Sequence, residues 1–244
     1  MRIGVIADIH GNLLALEAVL DRLRHASPDL IVNLGDCASS PLWPAETVAR
    51  LRAAEMLHVR GNHDRALGAA SPEGLGRSDR FAWDRLDAAD RAWLSTLPQE
   101  QFAAGAQCVH ASPGDDEAYL MEAVAGGRLL PDTAAAVQTR LAGTTAPLLL
   151  CGHSHLPRVL RLSNGMVVVN PGSVGNPAYE DETPPAHVSE SGSPHARFAL
   201  VTIADTITVE HHAIAYDWDA AAARARQNGR DDWAHALATG SVRR

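Results

Sequence analysis

The sequence predicts an α/β domain with parallel strands and polar groups gathered at their ends. Three observations carry that prediction. From Arg2 to Asp64, short apolar runs alternate with stretches of helical spacing, the pattern of parallel strands joined by helical crossovers. Each apolar run closes on polar residues, Asp8-Ile9-His10, then Gly35-Asp36, then Gly61-Asn62-His63-Asp64. Chemistry is commonly mounted beyond the carboxyl ends of such strands. Lastly, 46% of the 244 residues are apolar, enough to fill a substantial core.

Arg2 to Ala7 reads as a central strand. Asp8 and His10 follow two apart, so in an extended backbone their side chains point the same way. Leu13, Leu16, Val19, Leu20 and Leu23 fall at helical spacing over Leu13 to His25, with Asn12 as N-cap. Asp29 to Leu34 repeats the strand, and Pro44 to Ala54 supplies a second helix. Apolar residues then alternate through Met56 to Val59 and stop at Gly61, which places Asn62 and His63 where a strand passes into a loop. Arg65 to Gln101 is expected to be helical in parts, Asp87 to Leu97 most clearly, with a surface excursion near Ser71 to Ser78.

Ala106 to His110 is a short strand ending in a histidine, Ala111 to Leu120 a polar loop, and Pro131 to Leu141 a helix. Leu148 to Cys151 is a buried strand leading to His153 and His155, again two apart. The pattern then changes to hairpins. Arg158 to Leu162 and Met166 to Asn170 flank Asn164-Gly165, a pair suited to a tight turn. Phe198 to Ile203 and Ile207 to His211 form another. Between them, residues 177–195 are rich in Pro, Ser and acidic residues and predict a mobile loop. A C-terminal helical segment spans 217–238. With no repeat of fixed period and no linker, residues 1–244 read as a single domain.

Composition narrows the function classes. No apolar run reaches membrane-spanning length, and the start meets Asp8 too soon for a signal peptide, so a cytoplasmic protein with no membrane partner is expected. Cys37, Cys108 and Cys151 are too few and scattered for a disulfide framework and suit small buried hydrophobes. A formal charge of −8 argues against an extended nucleic-acid surface. It leaves anionic small molecules open, because bound divalent metals reverse the local sign. Nothing in the sequence fixes the oligomeric state.

Collected, the strand-end groups are Asp8, His10, Asp36, Asn62, His63, His110, His153 and His155. Carboxylate and imidazole suit divalent transition metals such as Mn, Fe, Zn, Ni or Co. Seven ligands exceed one tetrahedral site, whereas two ions sharing one carboxylate use them all. Asp36 is the natural bridge, a lone carboxylate between the other groups. Two such ions clamp a phosphoryl group and lower the pKa of a bound water toward neutrality.

At this point the chain resembles the calcineurin-like metallophosphoesterases. Asp8-Ile9-His10, Gly35-Asp36, Gly61-Asn62-His63-Asp64, His110 and Gly152-His153-Ser154-His155 match that superfamily's five motifs in order. Asn170-Pro171-Gly172-Ser173-Val174-Gly175 and His110-Ala111-Ser112-Pro113-Gly114-Asp115 resemble its small prokaryotic phosphodiesterase branch. The resemblance implies a four-layer αββα sandwich of two mixed β-sheets flanked by helices. It also implies one metal on Asp8, His10, Asp36 and His155, and a second on Asp36, Asn62, His110 and His153. His63 would assist the leaving group, with Asp64 orienting it or capping a helix and Arg65 holding a phosphate oxygen beside Asn62. Asp115 and Tyr119 are candidate rim contacts.

Two departures stand out. Ser39 occupies the place where the protein-phosphatase branch carries an Asp that orients the catalytic histidine, and no arginine follows Gly175 as in many relatives of the small branch. The expected function is dinuclear metal-dependent hydrolysis of a small phosphodiester. Phosphomonoesterase and dinucleoside-polyphosphate hydrolase are the enzymatic alternatives, and a non-catalytic protein-binding module on the same scaffold is the alternative of another class.

Overall fold

In the computed structural model, which describes residues 1–243, the first apolar run becomes strand β1 (Arg2–Ile6). It lies at the centre of a sheet ordered β14-β13-β1-β2-β3. Strands β2 (Leu30–Asn33) and β3 (Leu57–His58) continue from it in parallel, while β13 (Ala196–Ile203) and β14 (Ile207–Ile214) complete the sheet antiparallel. A second sheet is ordered β4-β5-β8-β10-β9. Its parallel centre is β5 (Ala106–Val109), β8 (Leu148–Leu150) and β10 (Val167–Asn170), and its antiparallel edges are β4 (Glu100–Ala103) and β9 (Arg158–Arg161).

The two-residue period of the strands builds the layers. Ile3, Val5, Val32 and Leu34 meet Cys108, Leu148, Leu150 and Val167 between the sheets. Ile6 faces the other way, onto Leu16, Val19, Leu20 and Leu23 of helix α1 (Leu13–Ala26). That helix starts where it does because the Asn12 side chain accepts the Ala15 N–H at 3.2 Å. Helices α2 (Pro44–Arg52) and α5 (Ala88–Thr96), the latter capped by Asp87, pack into the same cluster. On the far face of the second sheet, Leu149 and Val168 pack against Val137 of helix α6 (Ala134–Arg140). Helix, sheet, sheet and helix make the expected αββα order. Helices α7 (Trp218–Gln227) and α8 (Asp231–Thr239) pack on each other and on Leu42.

Three local expectations fail. Residues 177–195 are not a loop: β11 (Ala178–Asp181) and β12 (His187–Glu190) pair as a hairpin. They join β7 (Arg128–Pro131) and β6 (Glu122–Ala125) in a third sheet, ordered β11-β12-β7-β6. Composition pointed to a solvated segment, but Ala178, His187 and Ser189 are buried and the Ser189 hydroxyl donates to the Ser154 carbonyl at 2.6 Å. Tertiary pairing overrides local preference here. Pro131 consequently ends a strand, and α6 starts after Thr133, whose hydroxyl accepts the Ala136 N–H.

The second failure concerns Asn62 and His63, which open helix α3 (Asn62–Leu67) rather than a loop. The third is helix α4 (Arg77–Trp83), whose first turn begins inside the anticipated surface excursion. All three cysteines are free and buried. Among the described residues, no helix is long and apolar enough to cross a membrane.

Candidate metal centre

The strand ends deliver two groups of ligands. Asp8, His10 and His155 form one and Asp36, His110 and His153 the other, with the ligand atoms of each within 4.8 Å of one another. Backbone geometry explains how. Asp8, His10, Asp36, His153 and His155 have φ of 55°, 47°, 58°, 68° and 61°. The side chains two apart therefore converge through left-handed backbone and not through the extended strand the sequence suggested. Such conformations cost on the order of 1–3 kcal/mol each outside glycine and gather at functional sites. Backbone bonds hold them, among them Asp8 N–H to the Gly35 carbonyl at 3.0 Å and His10 N–H to the Asp36 carbonyl at 2.9 Å.

Three imidazoles are oriented from behind. Nδ1 of His10 lies 2.9 Å from the Ser39 carbonyl, Nδ1 of His110 lies 2.8 Å from that of Leu34, and Nδ1 of His155 lies 2.7 Å from that of Asn176. Each Nδ1 must donate, which leaves a lone pair on Nε2 of a neutral ring. Yet the Nε2 atoms of His10 and His155 stand 3.1 Å apart, and there acceptor facing acceptor calls for a cation between them. Nε2 of His110 stands 3.1 Å from Asn62 Oδ1, so both point to one place. Asp36 Oδ2 sits between the groups, 3.7 Å from His10 Nε2 and 3.4 Å from His110 Nε2, while its Oδ1 accepts the His63 N–H at 3.0 Å. This donor set fits two divalent transition metals sharing Asp36.

Burial sets the protonation of the ligands. It raises the Asp8 carboxyl to about 8 and lowers His10 to about 4. Burial, with the charge of His110, takes His153 to about 3, and burial with the neighbouring His10 takes His155 well below its usual range. His110 moves up to about 9, because the attraction of Asp36 outweighs burial, and the same pairing, with His63, holds Asp36 well below its usual range. At neutral pH Asp8 and His110 each carry a proton.

His63 flanks the ligands without joining either group. Its ring stands edge-on to His10, 5.5 Å between centroids, and its Nδ1 is 2.8 Å from Asp79 Oδ1. Burial pulls its pKa down, but Asp36 and the bond to Asp79 prevail and carry it to about 10. Asp79, from α4, thus holds the histidine whose sequence partner position is Ser39. Nothing in the sequence marked it, since it lies sixteen residues on in a Gly- and Ser-rich stretch.

The other sequence candidates take different positions. Asp64 is fully buried and accepts the N–H groups of Asp36 at 2.9 Å, Cys37 at 2.8 Å and Gly61 at 3.1 Å. It braces the ligand loop and the start of α3, and Asp79 is the residue bonded to His63. Arg65 makes two bonds to Asp116, at 2.8 and 2.9 Å, and one to Glu117, so its guanidinium is already paired. Asp115 accepts from the backbone of Glu117 and Ala118. Tyr119 stacks on His153 at 4.8 Å and joins Tyr179 and His187 through its hydroxyl, tying the third sheet to the ligands.

A family model described as the calcineurin-like phosphoesterase superfamily domain matches residues 1–190. The chain belongs to this superfamily. An uncharacterised protein of Methanocaldococcus jannaschii is 30% identical over 200 residues, 72% of this chain and 76% of that one. Among solved structures, a metallophosphoesterase from Sphaerobacter thermophilus is 27% identical with a TM-score of 0.76, over 98% of this chain and 100% of the other. A hypothetical protein of Pyrococcus horikoshii shares the fold at 20% identity, TM-score 0.78, over 99% of each chain. Calcineurin-like phosphoesterases are metal-dependent, in keeping with the two ligand groups of this chain.

Proposed function

We propose that the chain hydrolyses small phosphodiesters at a dinuclear centre, with His63 protonating the leaving group. The observation that carries this reading is the placement of His63 beside both ligand groups, held by Asp79 at 2.8 Å. Asp8, His10, Asp36 and His155 would hold one divalent ion, and Asp36, Asn62, His110 and His153 the other. When bound, the ions supply positive charge to phosphoryl oxygens and acidify a water.

The chain's own residues do the rest. Asp79 fixes the Nδ1 proton of His63, which leaves Nε2 to give a proton to the departing oxygen. Asp36 joins the two halves of the site, since one carboxylate oxygen lies between the ligand groups and the other takes the His63 amide. A cavity of about 480 Å³ beside His63 gives room for a second ester group, which supports a diester over a monoester. Retention of His63 with all seven ligands supports an enzyme over a protein-binding module.

The test is a screen of metal-reconstituted protein against bis-p-nitrophenyl phosphate, p-nitrophenyl phosphate, nucleotides and an alkyl phosphodiester, repeated with His63→Ala. Alkyl-diester turnover is expected to fall on the order of 10²- to 10⁴-fold in the variant, and turnover of bis-p-nitrophenyl phosphate, whose leaving group departs as an anion, much less. Unchanged alkyl-diester turnover in the variant refutes the role of His63. Recovery of a partner complex from a metal-loaded protein that hydrolyses nothing refutes the enzyme.

A further inference from the structure

The cavity beside His63 is walled by α4, by β11 and by α8 with the residues that follow it. The last of these walls lies beyond residue 190, where the family match stops. Trp233 stands there half-buried, its ring edge-on to His10 with centroids 6.1 Å apart. Arg230 secures it: the guanidinium lies 5.9 Å over the Trp233 ring, donates to the Ser78 hydroxyl of α4 at 2.9 Å and makes three bonds to Asp232. The opposite wall presents Glu180 and Asp181 of β11 and the adjoining Glu182. Arg77 and Arg243 also line the cavity; Arg230 and Asp232 pair with each other and Asp79 with His63, and Glu180, Asp181 and Glu182 remain as the carboxylates of the β11 wall.

We propose that this cavity is the leaving-group subsite and that it takes a nucleoside, with the base on Trp233 and the ribose hydroxyls on the β11 carboxylates. The proposal rests on the phosphodiesterase reading. His63 lines the cavity, so the oxygen it protonates departs into it. Water oxygen bonds to phosphorus, the bond from phosphorus to the nucleoside oxygen breaks with its electron pair on that oxygen, and His63 supplies the proton, which the attacking water returns. Aromatic faces accept any base, and carboxylates accept sugar hydroxyls. The same carboxylates repel further phosphate, so a leaving group that carries phosphate, as in a dinucleoside polyphosphate, is disfavoured.

The experiment separates binding from turnover. Adenosine is titrated into the metal-loaded full chain by calorimetry, and its inhibition of bis-p-nitrophenyl phosphate hydrolysis is measured, for wild type, Trp233→Ala and Trp233→Phe. Adenosine is expected to bind and to inhibit competitively, with Trp233→Ala weakening it roughly 5- to 150-fold and Trp233→Phe retaining most of the affinity. Turnover of adenylyl-3′,5′-adenosine is expected to exceed that of diadenosine tetraphosphate in kcat/KM. Adenosine binding that is absent or indifferent to Trp233→Ala overturns the proposal. So does faster turnover of the tetraphosphate, or choline binding at the same residue in place of adenosine. Failure to hydrolyse any ester while adenosine still binds at Trp233 refutes the phosphodiesterase reading and leaves the nucleoside site standing.

Discussion

Asp79→Asn isolates what the structure adds to the sequence motifs. The substitution keeps shape and hydrogen-bonding capacity but removes the charge that faces His63 Nδ1 at 2.8 Å. Asp79 is only 8% exposed but the His63 side chain is 34% exposed, so solvent screens the pair in part. Exchanging a charge-assisted hydrogen bond for a neutral one forfeits about 1–1.5 kcal/mol of the hold on His63, which amounts to roughly 5- to 13-fold in kcat. That loss falls only on steps in which His63 gives up a proton. Diesters with an alkyl leaving group should lose the full factor, whereas a p-nitrophenolate leaving group, which departs readily as an anion, should lose a few-fold at most. The assay is kcat for wild type and variant across the two classes, with urea unfolding midpoints to exclude misfolding. The pH profile gives a second reading. Asp36 first and then Asp79 raise the pKa of His63 against its burial, so removing the Asp79 charge lowers it. The acid form is then lost earlier as pH rises, and the alkaline limb moves to lower pH. Equal losses for aryl and alkyl esters, with an unmoved alkaline limb, would refute the argument.

Three further predictions follow from the same geometry. Asp64→Asn turns an amide N–H toward backbone donors that three bonds now satisfy and should cost about 2–4 kcal/mol of stability by urea unfolding. An unchanged midpoint with a collapsed kcat would return Asp64 to the chemistry. Gly61→Ala puts a Cβ onto the Asp36 carboxylate and within 2.6 Å of the Asp36 nitrogen, so the shared ligand is displaced and metal content measured by elemental analysis should fall below two ions per chain. Two ions retained would contradict the bridging position of Asp36. Finally, burial holds a proton on Asp8 up to about 8, and Asp36 holds one on His110 up to about 9 against its burial. Binding at pH 7 must expel both, so metal affinity should rise with pH up to that range, with about two protons released in calorimetry across buffers of different ionisation enthalpy. Affinity independent of pH over this interval would overturn the protonation scheme.

The contrast between Asp36 and Asp79 shows what kind of information the sequence carries. Asp36 ends an apolar run after Gly35, so strand, turn and ligand are neighbours in the chain and periodicity alone marks the position. The same holds for Asp8, His110 and His153, and for α1 with its Asn12 cap. Asp79 owes its place to α4, which opens in a stretch whose Gly and Ser content reads as surface, and α4 is fastened through Ser78 to Arg230 from the far end of the chain. No local pattern encodes a contact across 152 residues. The third sheet was hidden for the same reason. Its β12 and β7 share one register pair, Val188 and Arg128, beside the ion pair of Arg128 with Glu190, and the hairpin is held by Tyr119, Tyr179, His187 and Ser189 on groups around the Gly152-His153-Ser154-His155 turn. Even a correct inference can rest on the wrong geometry: Asp8 and His10 do converge, but through left-handed backbone at both residues. The ligands belong to strands and are legible as strands are. The groups around His63 belong to packing between distant segments, and that is where the proposed discrimination between leaving groups would be decided.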